Sequence, residues 1–372
     1  MANKDPTPNL RLVSPPRLRV ADVALFYGER SGGIRTYLDA KVAWARRTGA
    51  IEHHLVVPGE RERHDGTRHV LRGLAVSPSN GYRVPPGLRS LRRTLHGIRP
   101  DVVLLHDPYW GGTAARWVAR ELGALTISVH HSSVALGAAG LPGPERLWRP
   151  ILRFAHRRAY RCVGAVMSVV DTTGDASRAP TLPLRLGLDP AFRPFADAGR
   201  GDHVLYAGRL AREKGVFELM QAAALSADPW PLHLAGSGPA EPALRRAAQR
   251  LGIEQRVSFR PFLSDRRKLA RAYAWARCVV VPGAHETFGL ALLEAAACGA
   301  RVVAADTCPA AGAVAPVASV FGAADPAGLL RAIERARLRL PDPRAARAIA
   351  AAHRWDRAFA SELVDLERLV GA

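Results

Sequence analysis

Ten short runs rich in Val, Leu, Ile and Ala recur along the chain, most of them followed by a stretch long enough for a helix. The first five are RLRVADVALFY (17–27), HHLVV (53–57), DVVLL (101–105), LTISV (125–129) and AVMSVV (165–170). A second series follows: HVLYAG (203–208), PLHLAG (231–236), RVSF (256–259), CVVVPG (278–283) and ARVVAAD (300–306). Strands that are apolar without alternation must be covered on both faces, which predicts parallel sheets sandwiched by helices. The restart after LRLGLDPAFRPFADAGRGD (184–202), rich in Pro, Gly and charge, predicts two doubly wound domains, 17–190 and 191–350, behind a flexible tail 1–16. A length of 372 residues supports that division, since it exceeds what one core serves. In such sheets ligands gather beyond the carboxyl ends of the strands, so two of them face to face enclose a cleft.

Composition narrows the partners without choosing one. The net charge is +20, and residues 1–190 are the more basic part, with 28 Lys and Arg against 15 acids. That balance attracts anions, whether phosphorylated substrates, acidic headgroups or nucleic acid. Nearly all the cations are Arg in an Ala-rich chain, however, so composition bias explains the charge equally well. No apolar run approaches a membrane span and the first residues lack the apolar core of a secretory signal, which predicts a cytoplasmic protein. Cys162, Cys278, Cys298 and Cys308 show no C-x-x-C spacing and read as reduced structural thiols.

The polar residues that interrupt this pattern fall where strands end. GERSGGIRTYLDAKVAW (28–44) opens a helix with Gly32 and Gly33, and Ile34, Tyr37, Leu38 and Val42 share one face of it. Glycines there let an anion reach the first amides, although the pair alone reads first as a tight turn. LLHDPYW (104–110) and SVHHSS (128–133) place histidines at two strand ends; of His130 and His131 only one can look into the cleft, because neighbours on an extended segment point oppositely. YAGRLAREKG (206–215) carries Arg209 and Lys214 about a helix start, a clamp suited to a diphosphate, and Gly236 and Gly238 mark another strand–helix junction. In VPGAHETFGLALLEAAACG (281–299), Glu286 stands in the loop, Gly289 begins the helix, and Glu294 lies about a turn and a half inside it. A carboxylate among Leu and Ala needs hydrogen-bond donors, and a sugar diol supplies two; the bland reading turns Glu294 to water.

The order GG, H, GLDPAF, YAGRL with EKG, LAGSGP and HETFGL with LEA resembles the retaining nucleotide-sugar glycosyltransferases of family 4, and the resemblance spans nearly the whole chain. It implies the GT-B architecture of two Rossmann-like domains facing across a cleft. It also identifies WDRAF (355–359) with a closing helix, 351–372, that packs back towards the N-terminal domain. It implies further that Gly32 and Gly33 border the donor diphosphate, with Gly208, Gly236, Gly238 and the helix start Phe288-Gly289-Leu290 around the donor. Arg209 and Lys214 would hold phosphate, Glu286 the hydroxyls of the transferred sugar and Glu294 the ribose. His131, followed by a small hydroxylated residue, would be the catalytic-loop histidine, with His130 as the fallback. Transfer would retain the anomeric configuration and need no metal or other cofactor. ADTCPAAGAVAP (305–316) departs from the family pattern, lacking the usual Gly pair and acid near the donor.

The HETFG form resembles bacterial mannosyltransferases, which puts GDP-mannose ahead of a UDP-sugar as donor and a lipid or cell-envelope glycan as acceptor. ERLWRPILRFAHRRAYR (145–161) gathers Leu147, Trp148, Ile151, Leu152 and Ala155 beside a row of Arg149, Arg153 and Arg157, and LRSLRRTLHGIRP (88–100) is similarly basic. Such helices either touch an anionic membrane surface on the cytoplasmic face or pack their apolar side on the sheet. Two rival functions remain: a scaffold that binds nucleotide-sugar without turnover, and a basic nucleic-acid-binding protein. The latter lacks interleaved aromatics, zinc spacing and a helix-turn-helix signal, so no nucleic-acid partner is expected.

Overall fold

The computed structural model describes residues 17–371 apart from 26, 29–31, 78–81, 107–109, 132–133, 135–137, 139–142, 162, 170–178 and 196–200. The expected tail, Cys162 and the serine after His131 thus lie outside the described residues. The strands of the first half are β1 (Arg19–Val23), β2 (Glu52–Gly59), β3 (Arg63–Asp65), β4 (Arg68–Arg72), β5 (Leu74–Ser77), β6 (Tyr82–Val84), β7 (Val102–Leu105), β8 (Leu125–His130), β9 (Ala165–Ser168) and β10 (Thr181–Pro183). Eight of them form one sheet in the order β10-β9-β8-β7-β1-β2-β4-β3, parallel except for β3 against β4, while β5 and β6 make a separate antiparallel ribbon. In the second half β11 (Val204–Ala207), β12 (Leu232–Ala235), β13 (Val257–Arg260), β14 (Cys278–Val281), β15 (Arg301–Ala305) and β16 (Ala318–Phe321) form an all-parallel sheet, β13-β12-β11-β14-β15-β16.

Burial explains why these runs are apolar throughout. In β7, Val102 and Leu104 belong to the core on one face and Val103 and Leu105 to the core on the other. In β14, Val279 and Val281 face one core while Cys278 and Val280 face its opposite. All ten expected runs contain a strand. The short elements β3 to β6, β10 and β16 were not expected; Arg63-His64-Asp65 is fully exposed and carries no apolar signal to read.

The last helix, Trp355–Val370, puts Phe359 and Leu366 into the core of the first sheet. There Phe359 lies 5.5 Å from Tyr37 and 5.6 Å from Trp44, ring centre to ring centre, on the helix Gly33–Thr48. The chain therefore crosses between the sheets twice, and the crossings touch: the amide of Leu188 donates to His353 O at 2.7 Å. Gly187 makes the contact possible, because a Cβ there would fall 2.5 Å from the backbone nitrogen of Trp355.

Candidate active site in the cleft between the sheets

Each sheet reverses its strand order at a central strand, β1 in the first and β11 in the second, which is where open parallel sheets leave a crevice. The loops beyond both strands meet around a cavity of about 1000 Å³, walled by Gly32, Gly33 and Thr36 on one side and Gly208, Leu290 and Glu294 on the other. The helix Gly33–Thr48 starts without a side-chain cap or an acid in its first turn. A Cβ at Gly32 or Gly33 would meet nothing within 4 Å, so packing does not demand these glycines. They leave open the approach to a helix start, which favours an anion.

Across the cavity, Gly289 caps the helix Leu290–Ala297 with φ of 86°, and a Cβ there would lie 2.5 Å from Cys308 Sγ. Both facts require glycine. The Phe288 carbonyl is taken up within the fold, accepting from the amide of Ala310 at 2.8 Å. Ala310 belongs to the turn Pro309–Val317, so the divergent segment packs on this helix start and braces it. Glu294 is 5% exposed, accepting from Tyr273 Oη at 3.3 Å and from Arg266 Nη1 at 3.3 Å. Burial drives its carboxyl up to about 7, against the opposing pull of Arg266 and Tyr273. The solvent-facing reading of Glu294 is thus excluded. Arg266 also donates to Thr36 Oγ1 at 2.7 Å, tying Glu294 to the opposite wall.

Glu286 lies in the loop after β14 and is gripped by Lys214, whose Nζ stands 2.9 and 3.0 Å from its two oxygens. A glycine brings them together: Gly215, at φ of 70°, lies so close to the β14 loop that a Cβ would sit 2.5 Å from Pro282 O. Arg209 pairs with Glu213. Each cation of the expected phosphate clamp is therefore held by a carboxylate. Gly236 and Gly238, expected around the donor, are required by packing. Their Cβ atoms would fall 1.9 Å from Gly208 O and 2.2 Å from Leu210 O, and neither residue lines the cavity. They fix the loop that carries Gly208 and Arg209.

The two histidines at the end of β8 diverge as an extended segment requires. His130 is buried with Nδ1 against Tyr160 Oη, and burial pulls it down to about 4. His131 is half-buried, and its Nε2 is 2.6 Å from Nδ1 of His106, the histidine at the end of β7. Burial, then the neighbouring His106, hold His131 well below the usual imidazole range, so it is neutral at neutral pH. From His106 a chain of polar contacts runs into the sheet to Asp22, Lys41, His53 and Glu362. Of these, sequence reading noticed only the strand end bearing His106. A signal existed in Asp22, which interrupts an apolar strand; that Lys41 rather than Val42 is fully buried emerges only in the fold. Arg266 and Tyr273 left no such mark among the many Arg of the chain.

The helix Glu145–Tyr160 divides between its two expected readings, with Trp148, Leu152 and Ala155 half-buried. Leu147, Ile151 and Phe154 are 60, 56 and 69% exposed, and His156, Ala159 and Tyr160 are buried. Its first residue, Glu145, approaches His285 at 3.8 Å, so this helix borders the loop that carries Glu286. The described cysteines Cys278, Cys298 and Cys308 are buried. Among the described residues no helix is long and apolar enough to cross a membrane.

Known proteins agree with this geometry. Residues 31–179 match the profile of Glycosyltransferase Family 4, and residues 192–354 that of Glycosyl transferases group 1. The chain is 34% identical over 317 residues to the GDP-mannose-dependent alpha-(1-6)-phosphatidylinositol dimannoside mannosyltransferase of Mycobacterium tuberculosis, covering 78% of this chain and 80% of that one. Among solved structures it resembles the sucrose-phosphate synthase of Thermosynechococcus elongatus, with TM-score 0.76 at 20% identity over 96% of this chain and all of the other. It also resembles Anabaena HepE in complex with UDP-glucose, with TM-score 0.72 at 18% identity over 94% of this chain and all of that one. Two doubly wound sheets, a cleft at their switch points and these relatives lead to one conclusion: the chain belongs to the family 4 glycosyltransferases of GT-B fold, mannosyltransferase-like enzymes.

Proposed function

We propose that the enzyme transfers mannose from GDP-mannose, with retention, to a lipid or cell-envelope glycan acceptor. The observation that carries this reading is the Lys214–Glu286 pair on the loop after β14, which leads into the helix whose Leu290 and Glu294 line the cavity. A donor diphosphate draws Lys214 and Arg209 away from their carboxylates. Glu286 is then released to accept from the sugar hydroxyls, while Glu294 accepts from the ribose. As the bond from the anomeric carbon to the phosphate oxygen breaks, negative charge grows on the diphosphate, where the two cations and the helix start stabilise it without a divalent ion. The acceptor oxygen bonds to the anomeric carbon on the same face, and its proton passes to the departing phosphate. The mycobacterial relative supports GDP-mannose as donor; HepE, seen with UDP-glucose, supports a UDP-sugar as the second reading.

A lipid acceptor is favoured by the exposed Leu147, Ile151 and Phe154, flanked by Arg146, Arg149 and Arg158, on the helix beside the Glu286 loop. Association with an anionic membrane on the cytoplasmic face follows from it, and flotation with anionic vesicles that fails at every salt concentration would exclude it. The central test is thermal-shift screening with GDP, UDP, ADP and their sugars, followed by transfer assays. GDP-mannose should stabilise most. Glu294→Ala should weaken GDP binding, whereas Glu286→Ala should spare GDP binding and abolish transfer. Equal loss of GDP affinity in both variants would overturn the division of roles.

A further inference from the structure

Asp22 is 0% exposed, the fourth residue of β1, on a sheet face it shares with Val20, Ala24, Leu55 and Leu104. A charge there is expensive to desolvate, and an apolar residue would serve the core at least as well. Its oxygens are nevertheless fully engaged. Oδ2 is 2.5 Å from His53 Nε2 and 3.0 Å from Lys41 Nζ, and Oδ1 is 2.6 Å from His106 Nε2. Lys41, 1% exposed, is shared with Glu362 of the closing helix at 2.7 Å, and Glu362 in turn accepts from Tyr37 Oη at 2.5 Å. Burial pushes the Asp22 carboxyl up, but Lys41 and the bonds from His106 and His53 outweigh it and keep it ionised.

An ionised carboxylate only accepts, and this sets a direction along the chain of rings. His106 must carry its proton on Nε2 to donate to Asp22. When His106 carries only that proton, its Nδ1 is an acceptor 2.6 Å from His131 Nε2, and His131 then donates from Nε2. The two imidazoles lie nearly parallel, 19° apart with centres 4.9 Å apart, which fixes the His131 ring as well as its proton. No described residue bonds to His131 Nδ1, which is left as an acceptor.

We propose that Asp22 and His106 are positioning residues that hold His131 as the Nε2–H tautomer, with Nδ1 presented as a hydrogen-bond acceptor to a hydroxyl of the transferred hexose. The inference rests on the reading of His131 as a sugar-contacting residue. An acceptor at that point raises the electron density of the sugar as positive charge grows at the anomeric carbon. A donor there would oppose it, just as a wrong tautomer disables a catalytic histidine elsewhere.

The test begins with the unaltered protein labelled with 15N-histidine, in which long-range proton–nitrogen correlations report which ring nitrogen bears hydrogen. His131, assigned by its loss in His131→Ala, should show Nε2–H and a bare Nδ1. His106→Phe, which keeps a flat ring but no hydrogen bonds, should lower kcat about 100-fold with donor KM changed less than about threefold. Asp22→Asn should shift His131 towards Nδ1–H, with GDP affinity retained as the check on folding. An Nδ1–H tautomer in the unaltered protein, or full kcat in His106→Phe, overturns the relay. If instead His131→Ala transfers sugar at the original rate, the site reading itself has failed.

Discussion

The two halves of the cleft hold charge in opposite ways. Around the second sheet, carboxylates and cations meet in simple pairs at loop and helix starts: Lys214 with Glu286 and Arg209 with Glu213, all four partly exposed. Under the first sheet, Asp22, Lys41 and Glu362 form a closed group with each member at most 4% exposed. A pair that is partly open to solvent can exchange its partner for a ligand at little cost. A group in a dry core cannot, because any member left alone keeps its desolvation cost without compensation. The first arrangement suits binding and the second suits holding a neighbouring side chain still.

That contrast breaks most directly at Lys41. Lys41→Met leaves Asp22 and Glu362 buried without their cation and should cost about 3–5 kcal/mol, read from urea denaturation. A loss below about 1 kcal/mol would mean that the core network is no framework. Glu294 tests the intermediate case, a buried acid at the cavity wall, through its carboxyl raised to about 7 from 4.5. The raised value means the folded chain keeps a proton that the unfolded chain has released. The stability it provides is complete below the unfolded value and is lost as pH rises to the folded one. Between about pH 4.5 and pH 7 the loss should reach about 3 kcal/mol, and Glu294→Gln should abolish that slope in urea midpoints. An unchanged slope would place the titration elsewhere. The smallest stability effect belongs to the partly exposed pair. Lys214→Ala should cost less folding stability than Lys41→Met, about 1 kcal/mol, since the pair is partly open to solvent and Glu286 can be rehydrated. It should nonetheless lower kcat by about 100-fold, as loss of an electrostatic stabiliser does. If stability fell as far as in Lys41→Met, the two halves would not differ in kind.

Part of the cavity wall is legible in the sequence. Gly32, Gly33, Gly208, Leu290 and Glu294 do surround one cavity, because strand ends and helix starts are local features and parallel sheets collect them on one edge. That Gly236 and Gly238 admit a neighbouring backbone was not legible, since such a glycine and one that admits a ligand look alike in sequence. Arg266 was illegible among dozens of arginines until folding set it between Glu294 and Thr36. The basic helix was legible as amphipathic, but which of its residues the sheet would cover was not.

By itself the sequence determined two doubly wound sheets, the edge where ligands bind, and the chemistry available there. Periodicity and strand-end residues are properties of neighbours in the chain, so they are present before folding. Tertiary structure alone decided that Asp22, Lys41, His106 and Glu362 would meet, across sequence separations as large as that between helix Gly33–Thr48 and helix Trp355–Val370. It also decided that Lys214 would close on Glu286 and that Leu147, Ile151 and Phe154 would stay in solvent. Partners so distant are chosen by packing, which burial and ion pairing enforce only after the sheets have formed.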